Sequence, residues 1–79
     1  MDRFIIIGRL NCPFCVKAIE YCKQKDKEYI FLNYTEHPDI LEEYKKFHNH
    51  STVPIILAND MLTGYTSKVG GYSELLGRA

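Results

Sequence analysis

Two cysteines separated by two residues, Cys12-Pro13-Phe14-Cys15, are the residues in this chain whose types and spacing point to chemistry. Thiol–disulfide exchange runs through the thiolate. A free cysteine, with a pKa of about 8.5, is mostly protonated at neutral pH. A helix N-terminus presents unpaired N–H groups and roughly half a positive charge, and both favour an anion. Pro13 is well suited to a first helical turn. The spacing therefore places Cys12 at a helix start, as the low-pKa, solvent-reachable nucleophile. Cys15 lies one turn further in, as the buried thiol that resolves the mixed disulfide on Cys12. Arg9, three residues upstream, can add positive charge near the thiolate or near a substrate carboxylate.

The competing chemistry is half of a zinc site, since C-x₂-C also supplies zinc ligands. The other ligands would come from Cys22, His37, His48 or His50. Cys22 falls on the same helical stripe as Cys15 and reads as a small buried hydrophobe. The intervening proline suits a helix-starting redox pair better than a zinc knuckle.

The elements that must hold this pair follow from pattern. Phe4-Ile5-Ile6-Ile7 is continuously apolar and precedes Gly8, which predicts a central strand buried on both faces. A helix from Pro13 to about Lys25 follows, with Cys15, Ile19 and Cys22 on its apolar stripe. Tyr29–Tyr34 reads as a second strand. Pro38 opens a second helix, capped by Thr35 or His37, whose apolar side carries Ile40, Leu41, Tyr44 and Phe47 and which ends near His48. Tyr29, Phe31, Tyr34, Tyr44 and Phe47 read as core or half-buried residues, and His37 and His48 as surface residues. Val53–Ala58 predicts a third strand, Asn59-Asp60 a turn, and the stretch between Leu62 and Val69 a fourth strand. Gly70-Gly71 predicts a tight turn, and Tyr72–Arg78 a short last helix. The order is β-α-β-α-β-β-α, an α/β chain with a four-stranded mixed sheet flanked by helices. This is the thioredoxin-like fold, with the cysteine pair between the first strand and the first helix.

Seventy-nine residues, 46% of them hydrophobic, make one globular domain over residues 1–79. A formal net charge of zero gives no reason to expect nucleic acid or an anionic membrane as partner. No run approaches the roughly 20 apolar residues of a membrane span. No secretory signal pattern opens the sequence, and three cysteines are too few for a secreted disulfide framework, so a reducing, cytoplasmic location is expected. A monomer is expected.

With these residues in place, the chain resembles the glutaredoxin family over essentially its whole length. Cys12-Pro13-Phe14-Cys15 is similar to the family's Cys-Pro-Tyr-Cys motif. Thr52-Val53-Pro54 is similar to its Thr-Val-Pro element, and Gly70-Gly71-Tyr72-Ser73-Glu74 to its Gly-Gly-x-Ser/Thr-Asp element. The resemblance implies a cis Pro54, turning Val53 outward to pair with the cysteinyl unit of glutathione like an added strand. It implies that Ser73, with Gly71 beside it, receives the γ-glutamyl carboxylate at a helix N-terminus, and that Glu74 faces the ammonium. Phe14 and Tyr72 would line the rim, with Arg9 and Thr52 completing the glutathione site. No tightly bound cofactor is implied, and glutathione is the reductant. The implied partners are glutathione and protein disulfides, with ribonucleotide reductase a target by analogy.

Four departures qualify this. Ile55 stands where many relatives have a polar residue. His50 stands where a stronger cation is common, which implies that the glycine carboxylate is held more weakly, or by Arg9 and Lys17 instead. Fifteen residues between Pro54 and Gly70 imply an extended hairpin. The last helix is short, which implies modest stability. Two other readings stay open. One is a redoxin fed by thioredoxin reductase. The other is a dimer holding an iron–sulfur cluster through Cys12 and glutathione, against which Pro13 and Cys15 argue.

Overall fold

The computed structural model describes residues 2–78. Met1 and Ala79, the ends of the expected domain, lie outside the described residues. The elements run β1 (Asp2–Gly8), α1 (Pro13–Gln24), β2 (Tyr29–Asn33), α2 (Pro38–Phe47), β3 (Ile55–Asp60), β4 (Thr66–Gly70) and α3 (Tyr72–Arg78). The sheet order is β2-β1-β3-β4. β1 pairs parallel with β2, Gly8 opposite Asn33, and antiparallel with β3, Ile7 opposite Ile55. The expected mixed thioredoxin-like sheet is therefore present, with β1 inside it.

The apolar run of β1 works because a strand points alternate side chains to opposite faces. Phe4 and Ile6 enter a core with Ala18 and Cys22 of α1, Ile56 and Ala58 of β3, and Leu75 of α3. Ile7, with half-buried Ile5 beside it, faces a smaller core with Leu41 of α2 and Ile55. Ile6 and Ile7 are shielded almost completely from solvent. Each such side chain contributes roughly 1.5–3 kcal/mol through burial. α1 and α3 thus share one face of the sheet, and α2 covers the other.

Three expectations need correction. β3 begins at Ile55, after Pro54, and continues through Asn59 and Asp60. Pro54 has no N–H for a ladder, whereas Asn59 and Asp60 pair with Arg3 and Asp2. The turn lies beyond them: Asp60 accepts from the Leu62 N–H at 2.9 Å and its own N–H reaches Tyr65 O at 2.8 Å. On α2 the buried residue is Leu41, while Phe47 is 83% exposed. The smaller core is filled before the last turn of α2 reaches it. His48, expected on the surface, is half-buried, with its ring stacked on Tyr44 and edge-on to Phe47.

The chain returns to the cysteines at the end of the β3–β4 hairpin. A register shift at Ile56/Leu57 sets Ile56 opposite Gly70. Gly70 has φ +125°, a region that side-chain-bearing residues avoid. This turn aims the start of α3 toward the start of α1.

Candidate active site

Cys12 is the N-cap of α1. Its backbone is extended (φ −114°, ψ 115°), Pro13 follows in the first turn, and no acidic residue occupies that turn. Its sulfur accepts the Cys15 N–H at 3.4 Å. The sulfur therefore sits on one of the N–H groups that the helix start leaves without a helical partner. Its exposure is not as expected, because Cys12 is 5% exposed. The Val53–Pro54 loop closes over it, and Cys12 Sγ lies 3.8 Å from Val53 O, to which the thiol donates. The Val53–Pro54 peptide is cis.

Cys15 is fully buried. Burial pushes its thiol up to about 12, helped by the neighbouring Cys12 sulfur and opposed by the Arg9 backbone N–H and charge. Its room is made by Gly8, where a Cβ would sit 2.5 Å from Cys15 Sγ. The two thiols differ in place, one at a helix cap beside a loop and one sealed inside, but both are buried. Cys22 is in the core, as expected, and burial raises its pKa too. Cys12, Cys15 and Cys22 are all free thiols. Among the described residues, no group of three or more His, Cys, Asp or Glu gathers in a way that could hold a metal ion.

A groove of about 240 Å³ lies beside Cys12. Phe14, Thr52, Val53, Pro54, Gly71, Tyr72, Ser73 and Glu74 line it, so eight of the nine expected binding residues converge. Gly71 allows the walls to approach. A Cβ there would lie 3.3 Å from Glu74 Oε1, 3.6 Å from His50 Nε2 and 3.8 Å from Pro54 O. Phe14 and Tyr72 stand together at the rim, ring centroids 6.0 Å apart, and the Lys17 ammonium lies 5.3 Å from the Phe14 centroid. Glu74 accepts the Gly71 N–H at 2.7 Å, so its carboxylate caps α3 as well as facing the groove.

Arg9 is the expected residue that the fold does not bring into the groove. Its guanidinium donates to the Asn11 carbonyl and side-chain oxygens at 3.1 and 2.9 Å. His50 is the lining residue left out of the expected set. Its Nε2 is buried without a hydrogen-bond partner. The signal available was its place two residues before Thr52. A larger open depression of about 670 Å³, lined by α2 residues from Ile40 to Phe47 and by His48, involves none of the cysteines.

A family model described as Glutaredoxin matches residues 5–62. Two solved structures are similar in fold. A glutaredoxin from Brucella melitensis has a TM-score of 0.65 and 20% identity, covering 95% of this chain and 75% of that one. Glutaredoxin 1 from Francisella tularensis, complexed with cacodylate, has a TM-score of 0.66 and 22% identity, covering 99% of this chain and 92% of that one. Among curated proteins, a Bos taurus protein named putative malate dehydrogenase 1B is 32% identical over 89 residues. That match takes in all of this chain but 19% of the bovine protein's length. The family match runs from β1 through the cysteine pair and cis Pro54 to the β3–β4 turn, and the structure sets those parts around one sulfur. The chain therefore belongs to the glutaredoxin family.

Proposed function

We propose that the chain is a glutathione-dependent thiol–disulfide oxidoreductase that reduces protein disulfides and protein–glutathione mixed disulfides through Cys12 and Cys15. The observation that carries this reading is the groove, which runs from the Val53 carbonyl beside Cys12 to the start of α3. It offers a backbone edge for an extended peptide and, at its far end, Ser73 and the first turn of α3 for a carboxylate.

With a glutathionylated protein, the Cys12 thiolate attacks the glutathionyl sulfur. The protein leaves as a thiolate, which takes up a proton, and Cys12 carries the glutathione. A second glutathione thiolate then attacks that adduct, releasing oxidised glutathione and restoring the Cys12 thiolate. Ionisation of Cys12 also removes the S–H that occupies Val53 O, which frees this carbonyl for an incoming peptide N–H. With a protein disulfide, the target stays attached to Cys12 until Cys15, having lost its proton, attacks Cys12. This yields a Cys12–Cys15 disulfide and a fully reduced target. Two glutathiones then reduce the enzyme. Ribonucleotide reductase is one candidate target of this route, and the cytoplasm its location.

Cys15→Ser is expected to retain most deglutathionylation and to lose protein-disulfide reduction by more than about tenfold, whereas Cys12→Ser loses both. Both activities are measured with glutathione plus its reductase, and again with thioredoxin reductase as electron source. Equal loss of deglutathionylation in the two variants, or reduction by thioredoxin reductase alone, would replace this reading with that of a thioredoxin-reductase-linked redoxin.

A further inference from the structure

The wall of the groove formed by residues 50–54 hangs from the end of α2. There the helix leaves carbonyls without helical partners. The chain turns at Asn49, whose φ of +51° is left-handed, and then passes through His50 into the groove. His50 is tied back by its N–H to Lys45 O at 2.9 Å.

A second tie comes from a different element. Lys68, on β4, reaches across to donate from its ammonium to His48 O at 2.9 Å and Asn49 O at 3.4 Å. Its backbone is held in the sheet, with Lys68 in register with Leu57 beside the register shift. A charged donor on helix-end carbonyls is a favourable arrangement both as a hydrogen bond and through the helix dipole. Lys68 does not itself line the groove. Downstream of the clamp, His50 Nε2 reaches the space that a side chain at Gly71 would fill. Gly71 is three residues after Lys68, so β4 carries the clamp and leads directly into the opposite wall.

We infer that Lys68 is a positioning residue. It fixes the His48–Asn49 turn to β4, seats His50 against Gly71, and so sets the separation of the two groove walls that receive glutathione. This rests on the glutathione reading above. The clamp is exposed, so its removal affects the groove more than the overall fold.

The test compares wild type with Lys68→Met and Lys68→Arg. Steady-state kinetics use a glutathionylated peptide, with glutathione as the varied reductant. Lys68→Met is expected to raise KM about three- to tenfold with kcat within about twofold, and Lys68→Arg to restore most of the KM. The second readout needs no glutathione. The imidazole NMR resonances of His50 in the free protein should move in Lys68→Met and return toward wild type in Lys68→Arg. An unchanged KM in a wild-type-like turnover assay would overturn the inference, as would unmoved His50 resonances. A fall in kcat matching a loss of folded protein would also overturn it, because the lysine would then be structural only. If wild type shows no turnover with glutathione, the functional reading fails, and the His50 resonances alone decide whether the clamp exists.

Discussion

α1 and α2 begin in the same way and differ in what they offer. Each follows the end of one of two parallel strands, and Gly8 and Asn33, which close those strands, are register partners. Each has a proline in its first turn, Pro13 or Pro38. At α1 the cap is Cys12, whose sulfur takes the Cys15 N–H, and no carboxylate lies in the first turn. At α2 the cap is His37 with no side-chain hydrogen bond, and Asp39 supplies negative charge. The first helix keeps its N-terminal positive field for a sulfur, and the second offsets it with its own acid. The Val53–Pro54 loop then closes over Cys12, while His37, Pro38 and Asp39 stay exposed. A proline-led helix start is therefore not a site in itself. It becomes one when the acceptor is reactive, the turn carries no competing anion, and a loop from elsewhere completes it.

The comparison can be broken first by pH. The α1 side buries two thiols, Cys15, pushed up to about 12, and Cys22, also raised, both chiefly by burial. A raised pKa means the folded state holds its proton more tightly than the unfolded chain does. The associated stability is therefore complete below about pH 9 and is lost as pH rises toward 12. Unfolding free energy should fall by up to about 1.4 kcal/mol for each pH unit in that window through Cys15, with Cys22 adding a fall of the same sign. Urea titrations from pH 8 to 11 should show this fall, and Cys15→Ala with Cys22→Ala should flatten most of it. Tyr34 supplies a residual of the same sign, since its hydrogen bond with the Tyr44 hydroxyl raises its pKa. A double variant as pH-sensitive as wild type would show that the buried thiols are not the cause.

The strand ends give the next contrast. Gly8→Ala sets a methyl group against Cys15 Sγ, in a space that does not hold it. It should cost about 1–3 kcal/mol by overpacking, whereas Asn33→Ala removes only exposed hydrogen bonds to Thr35 and should cost about 0.5–1.5 kcal/mol. Denaturant midpoints compare the two, and equal losses would mean that Cys15 relaxes freely.

The smallest effect comes from giving α1 the acid that α2 has. Phe14 holds the position after Pro13 that Asp39 holds after Pro38. Phe14→Asp should slow alkylation of Cys12 at neutral pH by about three- to tenfold, since a neighbouring carboxylate disfavours the thiolate by about 1 kcal/mol. Timed iodoacetamide labelling with peptide mapping measures this. An unchanged rate would mean that the cap N–H, and not the field of the turn, governs the sulfur.

Read alone, the sequence determines the element order, the central place of β1 and the positions of the two cysteines, one at the start of α1 and one a turn further in. Each of these is encoded locally: the unbroken apolar run Phe4–Ile7, a proline directly after Cys12, and a helical stripe carrying Cys15 and Cys22. Eight groove residues are legible through three short motifs, which are specific by their order and spacing together. Tertiary structure decided the rest, because it depends on distances between elements that periodicity does not encode. Helical spacing puts Phe47 on the apolar side of α2, but the smaller core ends before reaching it. The charge of Arg9 is legible, yet the nearby oxygens of Asn11 capture its guanidinium. β3 starts after Pro54 because that residue has no N–H to pair, and it runs on because Asp2 and Arg3 are opposite Asp60 and Asn59. The depth of Cys12 and the arrival of His50 in the groove come from the meeting of the α1 start, the segment before β3 and the β4–α3 turn. These lie dozens of residues apart, and only the paired sheet brings them within a few ångströms.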